Sequence, residues 1–313
     1  MSLSRRTLLA VAAGSALAAC RPSTARPPTP PGPPTPPPNA SPTPTPTPTS
    51  APTSAPAETP TVAPTPAPTS APAAIPVPLP TRTTVTTRYA EAAPTDWGLD
   101  VPGVLSALPD GERAIALTFD ACGGPGGSGY DAGLIETLRT HDVPATLFLN
   151  ARWIDANPAT FEDLAADPLF EIANHGTAHR PLSVTGRSAY GILGTGDAGE
   201  VYDEISGNLE KLTALLGRPP RYFRAGTAHY DDVATRIAAD LAQPVAGFTT
   251  NADGGATLTA TQVHRELLDA PPGAIVIAHM NHPAAGTARG LATALPTLLA
   301  TGRTFTRLSD AFH

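Results

Sequence analysis

The sequence predicts an α/β domain built on a largely parallel sheet or barrel. Three observations predict it. Apolar, β-rich runs alternate with helical stretches from residue 113 onward. That alternation is the signature of strands linked by crossover helices. The composition changes near Arg82 from Pro/Thr-rich to that of a packed domain. Polar residues that carry chemistry stand just after the apolar runs, at Asp120, His175, Arg224, Asp253 and His279. Barrel and open-sheet enzymes keep their chemistry at such strand ends.

Taken in order, residues 113–119, 144–149, 170–173, 222–224, 245–249 and 274–279 read as strands, nearly continuous in apolar character and so suited to burial on both faces. Helices are predicted over 132–140, with Asp131 as N-cap, and over 200–216. In the second of these Val201, Ile205, Leu209, Leu212 and Leu216 share a face before Gly217 ends it. Residues 231–242 and 261–268 read as helices too. No internal repeat is visible in the domain.

Three regions are expected: residues 1–20, 21–81 and 82–313. In the first, Arg5 and Arg6 precede an apolar run from Leu8 to Ala19, too short for a bilayer span of ~20 apolar residues. Leu17-Ala18-Ala19-Cys20 resembles a bacterial lipobox, which implies lipidation of Cys20. Ser4-Arg5-Arg6-Thr7-Leu8-Leu9 resembles a twin-arginine signal; a general secretory signal is the alternative. Residues 21–81 hold 24 of the 39 prolines, so an extended polyproline spacer is expected, at about 3.1 Å per residue. Together these predict an exported lipoprotein facing the cell wall or periplasm, with membrane contact only through the anchor.

The remaining roughly 230 residues suffice for one large core. Of the formal charge of -7, residues 1–20 contribute +2 and 21–81 contribute +1, which leaves about -10 on 82–313. That balance argues against nucleic acid or anionic lipid as the domain's partner and leaves neutral ligands such as sugars. Cys122 is its one cysteine, so no internal disulfide can form. A monomer is expected.

The strongest local signal is Asn174-His175-Gly176-Thr177-Ala178-His179. Two histidines four apart on one side of a helical turn can converge on one cation. Asp120 ends the first strand and His279 a late one, in the same layer. An acid and a histidine flanking a metal can serve as base and acid in amide or ester hydrolysis.

These residues together resemble the polysaccharide deacetylase family, also called the NodB-homology domain or carbohydrate esterase family 4, over about residues 113–308. Thr118-Phe119-Asp120 is similar to its first motif, whose first Asp is the general base. Asn174-His175 through His179 is similar to the second, which supplies two metal-binding histidines. Phe223-Arg224 begins something like the third, whose Arg steadies the base. Asp253 stands where the fourth places an acid near that Arg, and 275–279 resembles the fifth, whose His is the general acid. The resemblance implies a distorted, incomplete (β/α) barrel and a divalent metal, usually zinc. It also implies removal of N-acetyl groups from a glycan, here peptidoglycan or a chitin-like chain.

This sequence departs from that pattern. The metal-binding Asp that follows the base is replaced by Ala121. The substitute is Asp131, folded back by the Gly-rich turn 123–129, or the thiolate of Cys122, or the site has two protein ligands. Asp131 is taken as the first choice because it restores an anionic oxygen, although it equally suits a helix cap. The third motif runs into Ala225-Gly226-Thr227-Ala228-His229-Tyr230, and Gly254 stands where an aromatic usually follows the fourth-motif acid. The stretch 180–199, with Tyr190, reads as a substrate rim or an ordinary surface loop. Two other functions stay open: a catalytically silent glycan-binding domain, and a metal-dependent amidohydrolase acting on a small amide.

Overall fold

The computed structural model describes residues 78–312. The lipobox, Cys20 and nearly all of the Pro/Thr-rich stretch lie outside the described residues.

In chain order the strands are β1 (Trp97–Gly98), β2 (Val104–Leu105), β3 (Ala116–Ala121), β4 (Ala145–Leu149), β5 (Phe170–Asn174), β6 (Tyr230–Asp231), β7 (Val245–Ala246), β8 (Thr250–Asn251) and β9 (Ile275–His279). The helices are α1 (Arg82–Arg88), α2 (Ala132–Thr140), α3 (Ala151–Ala156), α4 (Pro158–Ala166), α5 (Ala198–Leu216), α6 (Asp232–Asp240), α7 (Ala260–Leu268), α8 (Thr287–Ala300) and α9 (Leu308–Ala311). No helix among the described residues is long and apolar enough to cross a membrane.

Five strands form one parallel sheet in the order β5-β4-β3-β9-β8. Beyond β5 the ring continues through single bridges from Asn174 to Phe223 and from Phe223 to Val245, and β7 then pairs with β2. The stretch 245–251 changes neighbours midway, starting against Phe223 and ending against β9. The result is a distorted, incomplete (β/α) barrel, as the family resemblance implies.

Two of the expected strands shrink, for a visible reason. The expected strand at 222–224 is reduced to bridges at Phe223, and that at 245–249 breaks after Ala246. Arg224 Nε donates to the Ala246 carbonyl at 3.0 Å and Nη2 to the Gly247 carbonyl at 2.9 Å. A side chain has taken acceptors that a sheet ladder would use.

Alternation along the strands sorts two cores. Leu117, Phe119 and Ala121 of β3, Leu147 and Leu149 of β4, and Val276 and Ala278 of β9 pack outward against α2, α7 and α8. Ala116, Phe148 and Ile275 point inward and meet Leu308 of α9, which plugs the lower end of the ring. The opposite end, where the parallel strands finish, is left to polar residues. A third cluster joins Val85 of α1, Val201 and Ile205 of α5 and Ile237 of α6.

Candidate active site

Asp120 and His279 are register partners at the C-terminal ends of adjacent strands β3 and β9. Both line a cavity of about 840 Å³ at that end of the ring, with Cys122, His179, Tyr190, Asn281 and His282 among the other wall residues. Asp120 is only 3% exposed. Arg224 Nη1 donates to its Oδ1 at 2.8 Å and also to Thr118 Oγ1 at 2.8 Å. Burial alone would raise the Asp120 pKa, but Arg224, His175 and His279 outweigh it and hold the carboxyl below the ordinary range.

Asp253 follows β8 and is fully buried. Its Oδ1 pairs with His279 Nδ1 at 3.0 Å and accepts the Gly255 N–H at 3.1 Å. Its Oδ2 accepts the His279 backbone N–H at 2.7 Å and the hydroxyl of Thr287, the first residue of α8, at 3.0 Å. Sequence reasoning placed this acid near Arg224; its hydrogen bonds instead orient the ring of His279. Burial opposes charge on that ring, but hydrogen bonds to Asp253 and Cys122 prevail and push its pKa well above the ordinary imidazole value. Its side chain is 16% exposed and so reaches the cavity.

His175 and His179 do come together, but not on a helical turn. They sit in the loop after β5, where Gly176 and His179 both adopt positive φ (77° and 61°). Left-handed backbone folds the loop back on itself. The rings stand edge to face, with centroids 4.9 Å apart. His175 Nδ1 bonds the Arg224 carbonyl at 2.8 Å, which leaves Nε2 facing Asp120 Oδ2 at 3.7 Å. Gly226 lets the third-motif loop lie against the His179 carbonyl, where any Cβ would collide.

Asp131 is not with them. It caps α2, with Oδ1 accepting the Leu134 N–H at 3.2 Å, and its own N–H donates to the Met280 carbonyl at 2.8 Å. The helix-cap alternative describes its position. Among the described residues, the cluster of metal-capable side chains is Cys122, His175 and His179, with ligand atoms all within 4.8 Å of one another. Two imidazoles and a thiol form a donor set that zinc accepts. Burial would raise the Cys122 pKa, yet hydrogen bonds from His175, His179 and His279 hold the thiol well below its ordinary value.

A model of the polysaccharide deacetylase family matches residues 107–246. The matched stretch, fewer than half of the chain's residues, is similar to that family. Among solved structures the chain is similar to a CE4-family pseudoenzyme from Bacillus anthracis, at 22% identity and a TM-score of 0.57, covering 68% of this chain and 70% of that one. It is similar to the Bc1960 peptidoglycan N-acetylglucosamine deacetylase at 20% identity and a TM-score of 0.55, over 67% and 92% of the two chains. It is also similar to PdaA of Bacillus subtilis, a family 4 carbohydrate esterase, at 19% identity and a TM-score of 0.55, over 74% and 88%. At these identities the likeness speaks for the fold. No curated protein matches the chain. The family match ends before Asp253 and His279; the pairing of β9 with β3 brings that later stretch to the site.

Some residues of the candidate site escaped the sequence reading. Glu204 of α5 is buried and accepts the N–H groups of Ala178 (2.9 Å) and Arg180 (3.1 Å), pinning the loop that carries His179. Asn208, one turn later, donates to the Leu149 carbonyl and to Asn174 Oδ1, both at 2.8 Å. The available signal was a polar pair at i, i+4 bordering the apolar stripe of α5. The stretch 180–199 contributes Tyr190 and Ile192 to the cavity wall, and Tyr190 is 78% exposed with its ring edge-on to His229.

Proposed function

We propose that the domain hydrolyses N-acetyl groups on a polysaccharide, releasing acetate and leaving a free amine on the sugar. The observation that carries this reading is the pairing of Asp120 with His279 across neighbouring strands, each with its own buried partner. Arg224 occupies Asp120 Oδ1, so Oδ2 is the oxygen left to accept a proton. Asp253 holds His279 Nδ1, so Nε2 is the atom left to donate one. An ionised acid and a protonated imidazole at the same cavity are the pair that amide hydrolysis needs.

In the proposed reaction Asp120 takes a proton from water as the water oxygen bonds the acetyl carbon. His279 then passes its proton to the nitrogen as the C–N bond breaks. A divalent cation held by His175 and His179, with zinc the first choice, would supply Lewis-acid polarisation of the acetamide carbonyl when bound. The Arg224 carbonyl keeps the His175 ring in the tautomer that offers Nε2.

The substrate we favour is cell-wall glycan. Supporting it are an acidic charge balance that leaves neutral ligands open, and the lipobox-like Cys20 with a long Pro/Thr-rich stretch, which would hold the domain within reach of the wall. The test is acetate release by the full chain, loaded with Zn(II), from peptidoglycan and from N-acetylglucosamine oligomers. Asp120→Asn and His279→Ala should each cut release by at least a hundredfold, the lower range for loss of a general base or acid. Glycan binding by the wild type with no acetate from any acetylated substrate would replace this reading with that of a silent binding domain.

A further inference from the structure

Strand β3 sends alternate side chains to opposite faces. Leu117, Phe119 and Ala121 go to the outer apolar core. Thr118 and Asp120 face the ring interior, and Cys122, one residue past the strand, continues that parity into the cavity wall. The position after the base therefore offers a buried methyl group and no donor. Two residues after the base, a sulfur points at the histidine pair.

Cys122 Sγ lies 3.8 Å from His175 Nε2. Tetrahedral zinc with ordinary Zn–S and Zn–N lengths holds such atoms about 3.5 Å apart, so the observed separation needs only a small adjustment. Neither atom is free to drift. His175 is fixed through Nδ1 to the Arg224 carbonyl. Cys122 is followed at once by a closed turn, in which the Gly123 N–H donates to the Gly127 carbonyl at 3.0 Å. Gly123 itself, at φ +69°, lies so close to the backbone of Trp153 that a Cβ would collide.

We infer that Cys122 is the third protein ligand, making the centre a two-histidine, one-thiolate site. The inference rests on the hydrolase reading only for the expectation that a metal binds. A thiolate keeps the single negative charge of the carboxylate it stands in for, so the charge of the ligand set is unchanged. What changes is softness: the centre should take zinc or cobalt and discriminate against magnesium and manganese, which prefer oxygen.

Cobalt(II) reports on this directly, because thiolate ligation produces a sulfur-to-cobalt charge-transfer band in the near ultraviolet. The full chain, stripped with a chelator and loaded with Co(II), should show the band. Cys122→Ser should lose it and bind Zn(II) at least ten-fold more weakly in competition with a chelator. Cys122→Asp, which restores an anionic oxygen, should bind Co(II) without the band, and Asp131→Asn should keep the band. Circular dichroism of each variant separates a lost ligand from a lost fold. Cobalt-loaded wild type without the band, or a folded Cys122→Ser variant with undiminished zinc affinity, overturns the inference. The readout is the metal and not acetate, so a protein that shows the band yet releases no acetate refutes the deacetylase reading alone.

Discussion

Arg224 Nη1 meets Asp120 Oδ1 at 2.8 Å, with both side chains buried and the guanidinium 4.2 Å over the ring of Phe148. The same guanidinium fills the carbonyls of Ala246 and Gly247. One side chain thus orients the candidate base and bends the ring at the break between β7 and β8.

Removing Arg224 strands a buried carboxylate and two buried carbonyls. Arg224→Ala should cost roughly 3–5 kcal/mol, the usual penalty for breaking a buried ion pair from one side. Urea unfolding measures it. A loss under about 1 kcal/mol would mean the pair behaves like an exposed one.

His279 should titrate well above 6.5 in chelator-treated protein, and Asp253→Asn should lower that value. The sign follows from a folded pKa raised above the unfolded one. The stability this ring contributes is complete below the unfolded pKa and disappears as pH rises through the folded value. Histidine NMR across pH reads both effects. A ring that titrates at or below 6.5 would show that burial outweighs Asp253.

Glu204 reaches the metal pair only through backbone, by holding the N–H groups around His179. Glu204→Ala should weaken Zn(II) binding several-fold and cost about 1–3 kcal/mol from buried donors left unpaired. Chelator competition and urea unfolding give the two numbers. Unchanged zinc affinity would mean the loop keeps its shape without this carboxylate.

Cys20→Ala should move the protein from the membrane fraction to the soluble one while the domain stays folded, because lipidation would supply the anchor. Fractionation followed by circular dichroism decides it. Membrane retention by the variant would refute the lipobox reading.

Legibility in the sequence followed the reach of the interactions. Strands β3, β4, β5 and β9 are apolar runs that announce themselves, and α2 is bounded by its own cap at Asp131. Helix α1 has one buried residue, Val85, amid threonines and arginines. It is tied down by Arg82–Asp203 and Arg88–Asp240, contacts that no local window contains. Helix α8 carries Pro296 in its interior, which reads as a breaker. At the site, Asp120, His175, His179 and His279 were visible as residue types at strand ends. Preferring Asp131 over Cys122 followed chemical similarity to the missing carboxylate. The positions are set by strand parity at 120 and 122, and by the loop after β5, two pieces that meet only in three dimensions.

The two oxygens of Asp253 serve the ring and the backbone of His279, the turn at Gly255 and the first hydroxyl of α8. The consequence is evolutionary. Replacing His279 vacates one place on a cavity wall, whereas replacing Asp253 unfastens a turn, a strand end and a helix start together. A lineage that gave up the chemistry would be free to drift at 279 and constrained at 253. A mutational scan scored on folding alone should therefore tolerate many residues at 279 and few at 253. An intact aspartate at this position would then mark descent, while the histidine beside it would mark a working enzyme.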